Sequence, residues 1–275
     1  MNSACIYKCH LCGRDYTQYV ESHITPKLFW NQIKKNGALI RSTDNPNIRK
    51  QDGVKLPFFC PGCEELFSKY ETAFNNKWYS KITNNKCDYI AVDDDFKKFV
   101  YQIIYRELSY TNYLFIVNPH DINGGLTYEE KKLLIDLEEK MRLDILNNTV
   151  DVNIINNMRV VFTDTITNQI SIHIRDNYCI HGDVRFFNKK GTTPIEAYVI
   201  VLVPHLLFIY SVGKYVKLKG NSLTNNVIKK KTTTLPSRIV KWLQEVDYQF
   251  LDASSRLSDR QKEVIDRVSK SKGLK

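Results

Sequence analysis

Four cysteines near the start of the chain have the spacing of a metal site. Cys9 and Cys12 form a Cys-x-x-Cys pair in "CHLCG", and Cys60 and Cys63 form a second pair in "CPGC". Each pair can bring two thiolates to the separation of ~3.6–4 Å that tetrahedral zinc requires, and two pairs complete a four-sulfur site. The sequence therefore predicts one structural Zn²⁺ on these four residues. A redox dithiol would need only one pair and a thioredoxin-like βαβ context, which the sequence lacks.

The other cysteines indicate a reducing compartment. The chain has seven in all, and an odd number without a secretory signal argues against a disulfide framework. We therefore expect a cytoplasmic protein. We expect Cys87 and Cys179 to be small buried apolar groups, and His10 to have no role because four sulfurs complete the site.

One histidine lies between the two cysteine pairs, in the run "SHITPK" that contains His23. A lone histidine is more often structural than catalytic. The functional interpretation of His23 depends on its position between two pairs of metal ligands.

These motifs together resemble those of the zinc-containing HNH endonucleases, also called His-Me finger or ββα-metal nucleases. That family has a Cys pair, an acidic or polar residue with His, then Ile-x-Pro, and a second Cys pair that opens a helix. The corresponding segments here are "CHLC", "ESHITP" and "CPGCEELFSKYE". "SHITPK" and the "QDG" at residues 51–53 are closer still to a bacterial subgroup with a Ser-His-Ile-x-Pro-Lys motif. The resemblance covers about residues 5–80.

The resemblance implies a zinc-stapled treble-clef or ββα-metal finger with nuclease activity. His23 would end the first strand and act as general base on a water that attacks a phosphodiester. A divalent ion, Mg²⁺ or Mn²⁺, would neutralise the phosphate and the leaving oxygen. The implied function is a metal-dependent DNA endonuclease, with some of the subgroup associated with bacterial defence against phage.

The sequence departs from the family on the metal-binding helix. The family usually has Asn directly after the last Cys, where this chain has Glu64, and Phe67 three positions later cannot bind a metal. Glu64, Ser68 and Glu71 recur at i, i+4 and i+7 and so share one helix face. We therefore predict Glu64 and Glu71 as catalytic carboxylates that bind the divalent ion. The alternative is that they are surface acids, which the first turn of a helix favours in any case.

The charge distribution favours a polyanionic partner. The net charge is +10, and basic groups exceed acidic ones in residues 1–87 and 214–275 but not in residues 88–213. Nucleic acid, most simply DNA, is the expected partner; a solvated surface is the alternative. Asp52 is interpreted first as a turn residue. The candidate nucleic-acid contacts are Lys27, Arg41, Arg49, Lys50, Lys229, Lys230 and Lys231.

The elements that must position these residues indicate an α+β fold. Residues 1–87 read as the zinc-binding HNH-like domain, with short helices in "TPKLFWNQIKKNG" and after the second cysteine pair. Residues 88–275 read as a mixed α+β domain of unknown role, with a central and mostly antiparallel sheet. The apolar run at residues 197–213 is short for a membrane span. Pro204 and His205 divide this run, so we expect two buried strands and no membrane partner.

Three functions remain open on the sequence. The first is a metal-dependent DNA endonuclease, and the second is a catalytically silent zinc module that binds nucleic acid. The third is a protein-interaction subunit of a defence complex, in which zinc only stabilises the fold. A nuclease would also need restraint, so a regulatory protein partner or self-assembly is expected.

Overall fold

The chain begins with short strands around the cysteine pairs and continues as long helices packed on an antiparallel sheet. This computed structural model describes residues 5–35, 39–117, 126–166, 179–187, 196–212 and 221–271. The prediction of a mixed α+β fold with antiparallel sheets is confirmed. The sequence also has strand-like runs at residues 169–176 and 214–219, which lie outside the described residues.

Two small antiparallel hairpins and a helix form the N-terminal region. Strand β1 (Tyr7–Lys8) pairs with β2 (Asp15–Tyr16), and β3 (Ser22–His23) pairs with β4 (Lys55–Leu56). Helix α2 (Pro61–Phe74) follows β4. Its proline lies in the first turn, where a missing N–H costs no helical hydrogen bond.

Helix α1 (Lys27–Lys35) is inserted between β3 and β4. It lies within the segment "TPKLFWNQIKKNG" for which a helix was expected, and the last two residues of that segment lie outside the described residues. Phe29 and Ile33 bury the apolar face of α1. The insertion therefore packs on the body of the protein.

Helix α2 continues as a π-helical turn (Asn75–Tyr79) and a short helix α3 (Ser80–Thr83). Its buried face packs on the next long helix, as Phe74 shows by stacking on Phe99 at 3.7 Å between ring centroids. Such aromatic pairs add to the free energy gained from burial alone.

Helix α4 (Asp94–Val117) is the central helix of the fold. Every residue from 99 to 109 is buried, as expected for a helix covered on all sides. Helix α5 (Tyr128–Leu146) packs beside it and begins with a capping box, which the sequence spacing of Thr127 and Glu130 predicts.

The central sheet has four antiparallel strands in the order β6-β9-β8-β7. Strands β8 and β9 are buried along their whole lengths and meet at Pro204–His205, as expected. His205 has a φ of +72°, which lets the chain reverse there within two residues. The strands are β6 (Met158–Phe162), β7 (His181–Phe186), β8 (Ala197–Val203) and β9 (Leu206–Val212).

The two faces of the sheet pack on different partners. Val199 and Val201 face the core that contains α4, whereas Ile200 packs with Trp242 of the C-terminal helices on the other face. This alternation follows the two-residue period of a strand. The short helix α6 (Val152–Asn156) precedes the sheet, and the C-terminal helices α7 (Ser237–Ser255) and α8 (Asp259–Ser271) follow it.

The proposed boundary at residue 87 falls within a continuous core. Phe67 and Phe74 of the first region share one hydrophobic cluster with Phe99 and Phe208 of the second. Beyond the boundary, strand β5 (Tyr89–Ala91) pairs with β10 (Val227–Lys229). In the described part of the chain, no helix has the length and apolar character needed to cross a bilayer.

Candidate functional site

The four predicted cysteines converge on one point. The Sγ atoms of Cys9, Cys12, Cys60 and Cys63 all lie within 4.8 Å of one another, and those of Cys12 and Cys60 are 3.7 Å apart. Gly13, with a φ of +73°, closes the turn between β1 and β2 that holds the first pair. The second pair enters the site from the start of α2.

The chemistry of this cluster fits structural zinc. The backbone N–H groups of Cys12 and Cys60 donate to the Sγ of Cys9 at 3.5 and 3.3 Å. The hydrogen bond from the Cys63 thiol, followed by those backbone donors, lowers the pKa of Cys9 to about 4 against the opposing effect of burial. Thiolates are the form that binds zinc. The four cysteines are thus close enough to hold one metal ion.

His10 and the other three cysteines are not part of this cluster. The imidazole of His10 stacks on Phe58 at 3.8 Å between ring centroids, so it serves packing. Cys87 and Cys179 were expected to be buried, but both are partly exposed. Cys5 is exposed.

His23 is held by its backbone and by the residue before it. The buried Ser22 hydroxyl accepts a hydrogen bond from the N–H of Phe59 at 3.0 Å. The carbonyl of His23 accepts one from Nη1 of Arg106 at 2.6 Å. Because side chains alternate along a strand, Ser22 points into the core and His23 points to the other side.

The imidazole of His23 is half-buried and has an unpaired nitrogen. Its Nε2 is buried, with no hydrogen-bond partner among the described residues, and Oδ2 of Asp52 lies 3.7 Å away. Burial lowers the pKa of His23, Asp52 raises it, and Lys55 and Lys27 lower it further. The net lowering keeps the ring neutral near pH 7, with a lone pair able to accept a proton.

Asp52 proves to be more than a turn residue. It is 8% exposed, and its two oxygens contact Lys34 at 2.7 Å and Lys55 at 3.2 Å. Burial would raise its pKa, but the hydrogen bonds from the two lysines outweigh burial and lower it to about 2. Asp52 is therefore an anion next to His23, and Lys34 and Lys55 balance the charge of Asp52.

The Asp52 turn is fixed by the inserted helix. A Cβ on Gly53 would lie 2.1 Å from the indole ring of Trp30, so only glycine fits beneath that ring. Nε1 of Trp30 donates a hydrogen bond of 3.1 Å to the carbonyl of Thr25, and Thr25 lies two residues after His23 in the chain. Helix α1 thus ties the histidine strand to the "QDG" turn.

A small basic pocket is lined in part by Asp52, and His23 is not among its lining residues. It has a volume of about 280 Å³. Four cations line it, and these include three of the predicted nucleic-acid contacts. The lining residues are Lys27, Lys34, Ile40, Arg49, Lys50, Gln51 and Asp52. The excess of positive charge makes it a suitable place for a phosphate.

The remaining predicted contacts lie elsewhere. Arg41 donates to the carbonyl of Pro46 and to Oε1 of Gln261, both at 2.7 Å, and does not line the basic pocket. Lys229 ends strand β10, and Lys230 forms an ion pair with Asp164 at 2.6 Å. Lys231 follows as an exposed residue. Residues 229–231 line neither that pocket nor the larger cavity described below.

The two predicted carboxylate ligands have different surroundings. Glu71 accepts a hydrogen bond from Nη2 of the buried Arg106 at 2.8 Å. Burial raises the pKa of Glu71, although Arg106 opposes this and Glu64 adds to it. Oε1 of Glu64 is buried and without a hydrogen-bond partner in the part of the chain that the structure describes. Glu64 is therefore the better candidate for a cation ligand, and both roles stay predictions.

Arg106 is the residue that the sequence reasoning missed. It comes from α4, is 1% exposed, and packs over the ring of Phe67 with its Cζ 4.4 Å from the centroid. By bonding to both the His23 carbonyl and Glu71, it joins β3, α2 and α4. The available signal was the adjacent Arg and Glu in the apolar run "QIIYREL", since charges inside a buried helix need partners.

Comparison with known proteins gives no relative. No family model matches the chain, and no match is found among the curated proteins or the solved structures. The function is therefore argued from the geometry of the site.

Proposed function

We propose that this protein is a metal-dependent endonuclease that hydrolyses phosphodiester bonds in DNA. The observation that carries the proposal is Nε2 of His23, which has no hydrogen-bond partner among the described residues and lies 3.7 Å from an aspartate that lines a basic pocket. A role in bacterial defence against phage rests on the motif resemblance alone.

The order of elements supports a treble-clef finger of the ββα-metal type. The β1–β2 turn carries the first cysteine pair, the β3–β4 hairpin carries His23, and α2 begins with the second pair. This is the order of knuckle, hairpin and helix that such a finger requires. Structural zinc on the four cysteines would fix the hairpin against α2.

In the proposed reaction His23 acts as general base. The phosphate of the substrate lies in the basic pocket, where Lys27 and Lys50 balance its charge. Nε2 of His23 takes a proton from the attacking water, which the lowered pKa of the ring allows near neutral pH. Asp52 positions the imidazole, and Arg106 holds its backbone.

Glu64 is the residue expected to hold the divalent ion, because its buried Oε1 has no hydrogen-bond partner among the residues that the structure describes. Mg²⁺ or Mn²⁺ bound there would supply charge neutralisation at the phosphate and leaving oxygen. Glu71 is already bound to Arg106, so it would serve mainly to place that arginine.

The test is a plasmid-nicking assay on wild type and His23→Ala with Mg²⁺, Mn²⁺ or EDTA. We expect wild type to nick with at least one of the two ions and His23→Ala to be slower by at least about 100-fold, the usual contribution of a general base. Zinc content and melting temperature are measured in parallel for both proteins. Each quantity should be the same for His23→Ala as for wild type. Equal nicking by the two proteins would overturn the assignment of His23.

A catalytically silent module that binds nucleic acid is the second candidate. It is favoured by the Arg106–Glu71 ion pair, which leaves one of the two predicted carboxylates for a catalytic cation. This candidate predicts salt-sensitive DNA binding that His23→Ala leaves unchanged, and no nicking with any divalent ion. Absence of both binding and nicking would favour the interaction subunit.

A further inference from the structure

A larger cavity adjoins the basic pocket. It has a volume of about 690 Å³, within the usual range for small-molecule sites. Its walls come from the segment around Ile24, from residues 39–54, from α4, from the start of β7, and from α7 and α8. Ile40, Lys50 and Asp52 line both the cavity and the basic pocket, so the two spaces are neighbours.

A buried carboxyl group without a partner lines this cavity. Glu107 of α4 is 7% exposed and has no hydrogen bond or ion pair with any described residue. A Cβ at Gly182 would lie 1.9 Å from its Oε2, so the bare backbone of β7 packs directly on the carboxyl. A buried polar group normally has a hydrogen-bond partner. The missing partner is the second observation, besides the cavity itself, that points to a ligand.

The state of this carboxyl defines the ligand chemistry. Burial, with a smaller effect from Asp183, raises the pKa of Glu107 to about 8. Near neutral pH the group is therefore a carboxylic acid, which offers one O–H donor and one carbonyl acceptor side by side. An aromatic heterocycle with an adjacent ring nitrogen and amino group presents the complementary acceptor and donor.

The walls and the neighbouring pocket supply the other two parts of a nucleotide site. Trp30, Tyr110 and Phe250 contribute aromatic surface to a mainly apolar cavity, which suits a flat ring. The basic pocket next to it suits a phosphate. A base in the cavity and a phosphate in the basic pocket would belong to the same nucleotide.

We propose that the cavity binds the base of a nucleotide through Glu107, while the phosphate of that nucleotide occupies the basic pocket. The nucleotide could be free or a unit of a single strand, since the recognised chemistry is the same. The proposal extends the proposed function by naming what enters the two spaces lined by Asp52, the neighbour of His23. It does not depend on cleavage, because binding would stand if His23 performed no chemistry.

The test is isothermal titration calorimetry on the full chain with the four ribonucleoside 5′-monophosphates. The matching nucleosides, inorganic phosphate and a five-nucleotide single strand serve as comparison ligands. We expect at least one monophosphate or the short strand to bind, and to bind more tightly than its nucleoside or phosphate alone. If phosphate binds as tightly as every nucleotide, or nothing binds at millimolar concentration, the proposal is wrong.

Variants separate a base contact from a change in fold. Glu107→Leu removes the polar pair and should weaken nucleotide binding by about tenfold or more, the effect of losing one or two hydrogen bonds. Glu107→Gln keeps a donor and an acceptor and should bind within a few-fold of wild type. Glu65→Leu, at an exposed position, is the control. Wild-type affinity in Glu107→Leu would overturn the proposal.

A second variant covers the case in which Glu107→Leu fails to fold. Ala253→Phe would fill the cavity from α7 and should also abolish binding of the base. Lys50→Ala should weaken binding of the monophosphate but not binding of the nucleoside. His23→Ala should bind nucleotides like wild type, so loss of cleavage and loss of binding remain separate results. Tighter binding of the short strand than of any monophosphate would identify the polynucleotide as the source.

Discussion

At the scale of single residues, the chemical state of His23 follows from three charged neighbours and from burial. Burial, Lys55 and Lys27 disfavour the imidazolium ion, whereas Asp52 stabilises it. Asp52 is itself ionised to well below neutral pH because Lys34 and Lys55 bind it. The ring is therefore neutral where a general base must be neutral, and the balance can be shifted in either direction by one substitution.

The pH dependence of nicking tests that balance. A base is active in its deprotonated form, so activity should fall as the pH drops through the pKa of His23, and the midpoint should lie below 6.5. Asp52→Asn should move this midpoint to lower pH because it removes the anion that stabilises the imidazolium ion. Lys55→Ala should move it to higher pH. The measurement is the initial nicking rate from pH 5 to 8 in Mn²⁺, and shifts of the same sign in both variants would contradict the assignment.

At the scale of elements, the site depends on how β3, α2 and α4 are held together. Arg106 of α4 bonds to the backbone of His23 and to the side chain of Glu71. Its planar guanidinium offers several donors in fixed directions, which lysine cannot reproduce. The central helix therefore positions both β3 and α2 through one side chain.

Replacing Arg106 should damage both stability and activity. Arg106→Met leaves the carboxylate of Glu71, which is only 21% exposed, without its cation, and this should lower the free energy of unfolding by about 3 kcal/mol. The double variant Arg106→Met with Glu71→Gln should recover part of that loss, because no charge remains unpaired. Urea unfolding of both variants and of Glu71→Gln alone gives the coupling free energy. Additive losses would show that the two side chains do not interact.

Lys69→Met provides the matched control for the Arg106 experiment. Its ion pair with Glu65 joins two largely exposed side chains, and such surface pairs contribute at most about 1 kcal/mol. Its free energy of unfolding should stay close to that of wild type. Nicking by Lys69→Met should also be unchanged, whereas Arg106→Met should be slower because His23 loses its backbone support.

At the scale of the whole molecule, the metal site and the large hydrophobic core are parts of one structure. Cys9 and Cys63 belong to the same cluster of buried residues as Phe99 and Phe208. The N-terminal region therefore packs on α4 and the central sheet. Loss of the cysteine site should therefore destabilise the whole described fold and not only the N-terminal region.

Loss of the metal tests this continuity. Removal of zinc by a strong chelator, or Cys9→Ser, should lower the melting temperature by at least about 10 °C, because structural zinc contributes folding free energy directly. The unfolding should remain a single transition, since both regions share the core. Cys5→Ser, at an exposed cysteine, should melt like wild type. Two separate transitions after zinc removal would support two domains with a boundary at residue 87.

Features that depend on local sequence were predictable. The Cys-x-x-Cys pairs, the capping box at Thr127 and the reversal at Pro204–His205 each involve residues a few positions apart. Local geometry and the two-residue period of buried strands decide such features. The mixed α+β class followed from the same patterns, and the convergence of the two cysteine pairs followed from metal chemistry.

Features that depend on distant contacts needed the tertiary structure. Arg106 lies 83 residues from His23 and 35 from Glu71 in sequence. The sequence predicted only a turn at Asp52, whereas in the folded chain its carboxylate lies 3.7 Å from the imidazole of His23. Glu107 is one of two adjacent charged residues in the buried part of α4. The cavity that it lines is formed with α7, α8 and β7, which are distant in sequence. Sequence determined which groups could do chemistry; packing decided which of them meet, because burial and charge pairing exist only in the folded chain.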